Sequence, residues 1–127
     1  MANKLKINQT EIDEFFKSLC FQDIMDSELD RNERDLLLVI FRKTIHFDKW
    51  QDRIAIYWLS QAVGISEKTL RATLKRLESK SFIDVEISKG GKSSSSKKYN
   101  GYSLNNYFLE RVFRKWENIK IDNNFEY

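Results

Sequence analysis

Gly64-Ile65-Ser66 sits between two stretches of helical periodicity and leaves the chain little choice about the local fold on either side. Glycine accepts the left-handed backbone that closes a helix, and serine is among the best residues for opening the next one. A short helix over Tyr57 to Val63 is therefore predicted to stop, and a longer one to run from about Glu67 to Lys80. At 100° per residue, Leu70, Leu74 and Leu77 of that second helix fall within about 60° of one another and must face the interior. Lys68, Ala72, Lys75 and Ser79 then point outward, with Thr69, Arg71 and Arg76 on the flanks.

The neighbouring segments extend this plan. Phe82 to Ser88 alternates apolar and polar, as a half-buried strand does. A Gly, Ser and Lys loop, Lys89 to Lys98, leads to a second strand at Tyr99 to Leu104, so the pair reads as a hairpin. Upstream, Arg53 to Ile56 reads as a short strand. Asp30 is placed to cap a helix running to about Thr44, whose centre, Leu36 to Phe41, is apolar on nearly every side. Stripes at helical spacing predict two further helices. One covers 11–25, with Ile12, Phe15, Phe16, Leu19 and Cys20; the other covers 105–120, with Phe108, Leu109, Val112, Phe113, Trp116 and Ile119. The expected fold is mainly α with a small β-hairpin (α+β). It is a winged helix-turn-helix core over 30–104 with extra N- and C-terminal helices. At 127 residues the expectation is a single domain, 1–127.

Charge matters here by position. The net charge is only +3. Residues 1–29 carry three Lys against six Asp or Glu, whereas 64–98 carry nine Lys or Arg against four. A lone cysteine, Cys20, permits no intramolecular disulfide and supplies no metal spacing; it reads as a small core hydrophobe. Catalysis finds no support: one histidine, His46, reads as a structural or capping residue near the end of the central helix, and no Ser/His/Asp set or HExxH is present. Asp13, Glu14, Asp23 and Asp26 belong to a charged helix face or a loop. The expectation is no enzyme, no cofactor and no metal. Met1 to Ile12 lacks a signal-peptide core, and no run approaches the roughly 18 apolar residues of a membrane span, so a cytoplasmic protein without membrane contact is expected. Trp50, Trp58, Trp116, Tyr57, Tyr99 and Tyr102 are expected to pack in the core rather than to offer a stacking platform.

The outward side of Glu67 to Lys80 combines long cations with small residues, and the major groove of B-DNA, about 12 Å wide, admits one helix. Lys68, Thr69, Arg71 and Ala72, on the N-terminal half, are the expected base readers, and Lys75 and Arg76 the expected phosphate contacts. Lys89, Lys92, Lys97 and Lys98 of the loop, among four serines, are expected to ride on flanking backbone as a wing. The predicted partner is double-stranded DNA, bound sequence-specifically in replication initiation or transcription control. The other function in view is a winged helix used as a protein-interaction module. This would be an adaptor or inhibitor of a host replication or transcription machine, presenting the acidic residues of 1–29.

Leu29 to Ile83 also resembles the N-terminal domain of the replication initiators of lambdoid phages, the O-protein family. The resemblance is carried by Leu36 to Thr44, by Phe47-Asp48-Lys49-Trp50-Gln51-Asp52-Arg53-Ile54, by Leu59-Ser60-Gln61-Ala62-Val63-Gly64-Ile65-Ser66 and by Thr69 to Glu78. Tyr102-Ser103-Leu104-Asn105 is similar to the strand that comes after the wing, while Ile45-His46 stands where an aromatic-glycine pair is usual. The resemblance implies recognition of origin repeats, commonly by a dimer on inverted half-sites. It also implies contacts from Ser66, Lys68, Thr69, Arg71, Ala72 and Lys75. A homodimer is accordingly a further expectation, and the sequence leaves open whether the stripes of 11–25 and 105–120 pack within one subunit or across a two-fold axis.

Overall fold

A computed structural model describes residues 14–87 and 99–122, with side chains to Ile119. The elements are α1 (Glu14–Asp26), α2 (Arg31–Lys43), a 3-10 turn (Ile45–Phe47), β1 (Asp52–Ala55), α3 (Ile56–Val63), α4 (Glu67–Ser79), β2 (Ile83–Glu86), β3 (Tyr99–Leu104) and α5 (Asn106–Asp122). This is the winged helix-turn-helix order with a helix added at each side.

α2 is the axis of the fold. Asp30 opens it with a capping box: its carboxylate accepts from the Glu33 amide at 2.8 Å, and the Glu33 carboxylate accepts from the Asp30 amide at 3.0 Å. Leu36, Leu37, Ile40 and Phe41 are buried along one side, Leu38 and Val39 are partly buried, and the helix touches α1, α3, α4 and β3. Contact with several elements is why the run Leu36 to Phe41 is apolar almost all round. α2 stops where the Thr44 hydroxyl folds back to donate to the Ile40 carbonyl at 2.7 Å. His46 then lies in the 3-10 turn after the helix, exposed, with its ring edge-on to Phe47 at 5.0 Å. It caps no α-helix, because Thr44 has already ended α2.

The sheet has the order β1-β3-β2, antiparallel throughout, with Ile54 opposite Asn100 and Val85 opposite Tyr102. β3 is thus the middle strand, and its Tyr102 is fully buried. β2 is shorter than the alternating run 82–88. Ser81 takes a positive φ of 63°, and Phe82 donates its amide to the Leu77 carbonyl at 3.0 Å, so Phe82 still belongs to the turn that closes α4. Likewise Ile56, expected in a strand, begins α3, because extended Ala55 is already its N-cap.

The stripes of α1 and α5 pack on each other within the chain. Phe16 meets Phe113 and Trp116 edge-on at 6.4 and 6.5 Å, and Phe113 stacks on Trp116 at 5.2 Å. Asp23, only 7% exposed, lies between Arg111, at 3.2 Å, and Lys115 of α5. Cys20 is fully buried, and desolvation pushes its thiol well above the ordinary range, which keeps it unreactive. Ile12 lies outside the described residues.

A charged clamp joins the start of α2 to the end of α4. Glu33, 2% exposed, accepts from Lys80 at 2.8 Å and from Arg76 at 3.2 Å, and Arg76 also reaches Asp30 at 3.6 Å. Burial alone would raise the Glu33 carboxyl. The Lys80 ammonium, the Asp30 amide and the Arg76 guanidinium outweigh burial and hold it below the usual carboxylate range. A carboxyl depressed in the folded state stabilises above its unfolded pKa of about 4.3, and that contribution disappears as pH falls through the folded value. Stability should therefore drop below about pH 4.3, and Glu33→Gln should flatten this part of a pH series of denaturant melts. Both cations are near half exposed and can rehydrate. The expected cost of Glu33→Gln at neutral pH is accordingly about 2 kcal/mol, below the roughly 3–5 typical of a fully buried pair.

Candidate nucleic-acid interface

α3, the turn and α4 are built by local rules. Gly64 adopts φ 80°, ψ 34°, and its amide donates to the Ser60 carbonyl at 2.8 Å, with Ile65 donating to the same oxygen at 3.1 Å. Ser66 caps α4: its hydroxyl oxygen accepts from the Thr69 amide at 3.1 Å and its O–H donates to Thr69 Oγ1 at 3.0 Å. Leu70, Thr73, Leu74 and Leu77 of α4 are buried. Thr73 joins the leucines because its hydroxyl is satisfied by the Thr69 carbonyl at 2.8 Å, leaving its methyl to pack.

The structure places Lys68, Thr69, Ala72 and Lys75 on the outer side of α4, together with Ser79. Arg71 is half-buried and lies 3.9 Å from Glu67, one turn earlier on the same helix. Ser66 has its hydroxyl engaged in the cap. Arg76 differs in kind. Its guanidinium is held by Glu33, Asp30 and, at 3.2 Å, the Thr73 hydroxyl, so it braces α4 on α2 whatever else it meets. The sequence holds no sign of this tie, because Glu33 and Arg76 stand 43 residues apart. The loop lysines Lys89, Lys92, Lys97 and Lys98 lie outside the described residues, so the structure places only the two strands they connect.

The aromatic residues divide. Tyr102 and Trp116 are buried and Trp50 is half-buried, as packing requires, but Tyr57, Trp58 and Tyr99 are 55%, 43% and 58% exposed. The expectation of core packing fails for these three. α3 buries only Ile56, Leu59 and Ser60, so a helix of eight residues turns its second and third positions outward. Tyr99 stands at the start of β3, at the sheet margin. Of the carboxylates weighed as metal ligands, Glu14 and Asp26 are exposed, Asp23 is engaged with α5, and Asp13 lies outside the described residues. No group of three or more His, Cys, Asp or Glu among the described residues is placed to hold a metal ion. No helix among them is long and apolar enough to cross a membrane.

The turn offers a clean test of backbone strain. A Cβ added at Gly64 would meet nothing within 4 Å, so Gly64→Ala should be penalised only by its positive φ, about 1 kcal/mol. Gly64→Asn, which tolerates that region, should lose less, and paired denaturant melts would measure both.

Among solved structures, the chain is similar to a MarR-family transcriptional regulator from Silicibacter pomeroyi. The two share 13% identity at a TM-score of 0.46, over 96% of this chain and 80% of that one. No curated protein matches the chain in sequence. The family described as bacteriophage replication protein O matches residues 6–102, a span running from ahead of α1 through α4 to the buried Tyr102 of β3. The chain belongs to the bacteriophage replication protein O family.

Proposed function

We propose that this chain binds double-stranded DNA sequence-specifically in phage replication, as a non-catalytic winged helix-turn-helix domain in the host cytoplasm. The observation that carries the reading is the division of α4: three leucines and Thr73 inward, and Lys68, Thr69, Ala72 and Lys75 outward. A helix so seated presents a strip of cations and small side chains that fits a major groove. In this reading Lys68, Thr69, Arg71 and Ala72 meet base edges, and Ser66 flanks them at the helix start. Lys75 lies on the phosphates, and the loop lysines Lys89, Lys92, Lys97 and Lys98 cross to neighbouring backbone. Arg76 contributes chiefly by bracing the helix, since its guanidinium is committed to Glu33. Membership of a replication-protein family supports a role in replication over one in transcription.

The test is selection of bound sites from random duplex DNA, with titrations of the winners at several salt concentrations. Log K should fall by about 0.9 for each phosphate neutralised per decade of salt. Lys68→Ala with Lys75→Ala should weaken every sequence and reduce the slope by about 2, one per lost phosphate contact. Arg71→Ala should instead relax preference at one or two base positions by about 1–3 kcal/mol. Duplex binding that fails even at low salt, with stable capture of a protein partner, would replace this reading with the protein-interaction one.

A further inference from the structure

The corner where β1 turns into α3 carries more exposed ring surface than a packed domain needs. Tyr57 and Trp58 face outward at the start of α3, and Tyr99 stands opposite Ala55 in the β1–β3 register. Trp58 and Tyr99 line one shallow pocket of about 170 Å³ with Lys43, Asp52, Arg53 and Ala55. The Lys43 ammonium sits 4.7 Å from the centre of the Trp58 ring. Arg53 donates to the Tyr99 carbonyl at 3.5 Å. Both nearby carboxylates already face cations: Asp52 lies 3.7 Å from Lys49, and Glu86 lies 3.8 Å from Arg53.

Two flat rings open to solvent with two cations at their edges suit a ligand that has a π-face and a phosphate together. A duplex keeps its base faces stacked inside and offers none, whereas an unpaired strand offers one per nucleotide. A protein partner fits less well, because lysine is depleted at the centres of protein interfaces. No residue of α4 lines the pocket, so the corner is separate from the helix face proposed for duplex DNA.

We propose that this corner binds single-stranded DNA, a base stacking on Trp58 and Tyr99 while Lys43 and Arg53 hold its phosphates. The site rests on α2, β1, α3 and β3 alone and stands whether or not α4 reads a duplex.

The experiment is fluorescence anisotropy of the full chain with a labelled oligothymidylate of about 12 nucleotides, long enough for several stacked bases. A duplex carrying a selected site is titrated in parallel. Trp58→Ala should weaken the single strand about ten-fold, the loss of one stacked base, and leave the duplex unchanged. Trp58→Phe should keep most of the single-strand affinity, because the π-face is retained. Arg53→Ala should weaken the single strand and leave duplex affinity as it was. Lys68→Ala with Lys75→Ala should do the reverse, losing duplex and sparing oligothymidylate. If Trp58→Ala unfolds, Trp58→Phe and Arg53→Ala decide. Absence of oligothymidylate binding by the parent chain, equal binding by every corner variant, or parallel loss of both ligands in Trp58→Phe and Arg53→Ala overturns the proposal.

Discussion

Everything this protein presents to a partner through α4 depends on how that helix is seated. Each buried leucine is worth roughly 1.5–3 kcal/mol relative to exposure, so Leu70, Leu74 and Leu77 together supply far more than any surface charge. Burial by itself is non-directional, however, and a leucine ridge can slide or roll on α2 at little expense. The Glu33 clamp removes that freedom. Its two bonds fix the last turn of α4 to the first turn of α2, while Ser66 and Gly64 fix the other end. Dispersion and hydrophobic burial hold the helix down, and the buried carboxylate sets its rotation.

The two added helices matter to the same seat at one remove. α1 packs on both α2 and α5, and Asp23 ties α1 to Arg111 and Lys115 across a core of Phe16, Phe113 and Trp116. With both stripes consumed inside one chain, a two-fold dimer would have to use other surface, such as the exposed Phe21 and Met25 of α1. The sheet is equally economical. Placing β3 in the middle lets one strand satisfy both β1 and β2, and its buried Tyr102 joins the helical core to the base of the hairpin.

Two surfaces of different chemistry result. The outer side of α4 is cationic with small side chains and no ring, which suits a groove whose walls are phosphate and whose floor is base edge. The β1–α3 corner pairs rings with Lys43 and Arg53, which suits a base already out of its stack. A replication protein meets DNA in both forms, and the two proposed sites would give this chain a distinct face for each.

Most of the architecture was legible from local rules. Gly64 and Ser66 announce the turn because only certain residues accept its backbone and caps. The leucine spacing of α4 orients Lys68 and Lys75, and the capping pair Asp30 and Glu33 marks where α2 begins. Three things were settled only in the tertiary structure. Glu33 and Arg76 are 43 residues apart, and no periodicity links them until α2 and α4 lie side by side. The central place of β3 comes from which strand has partners on both edges, a property of the sheet and of no single segment. Tyr57, Trp58 and Tyr99 look like core residues by type, yet an aromatic ring is buried only if a neighbour covers it, and at that corner no described element does.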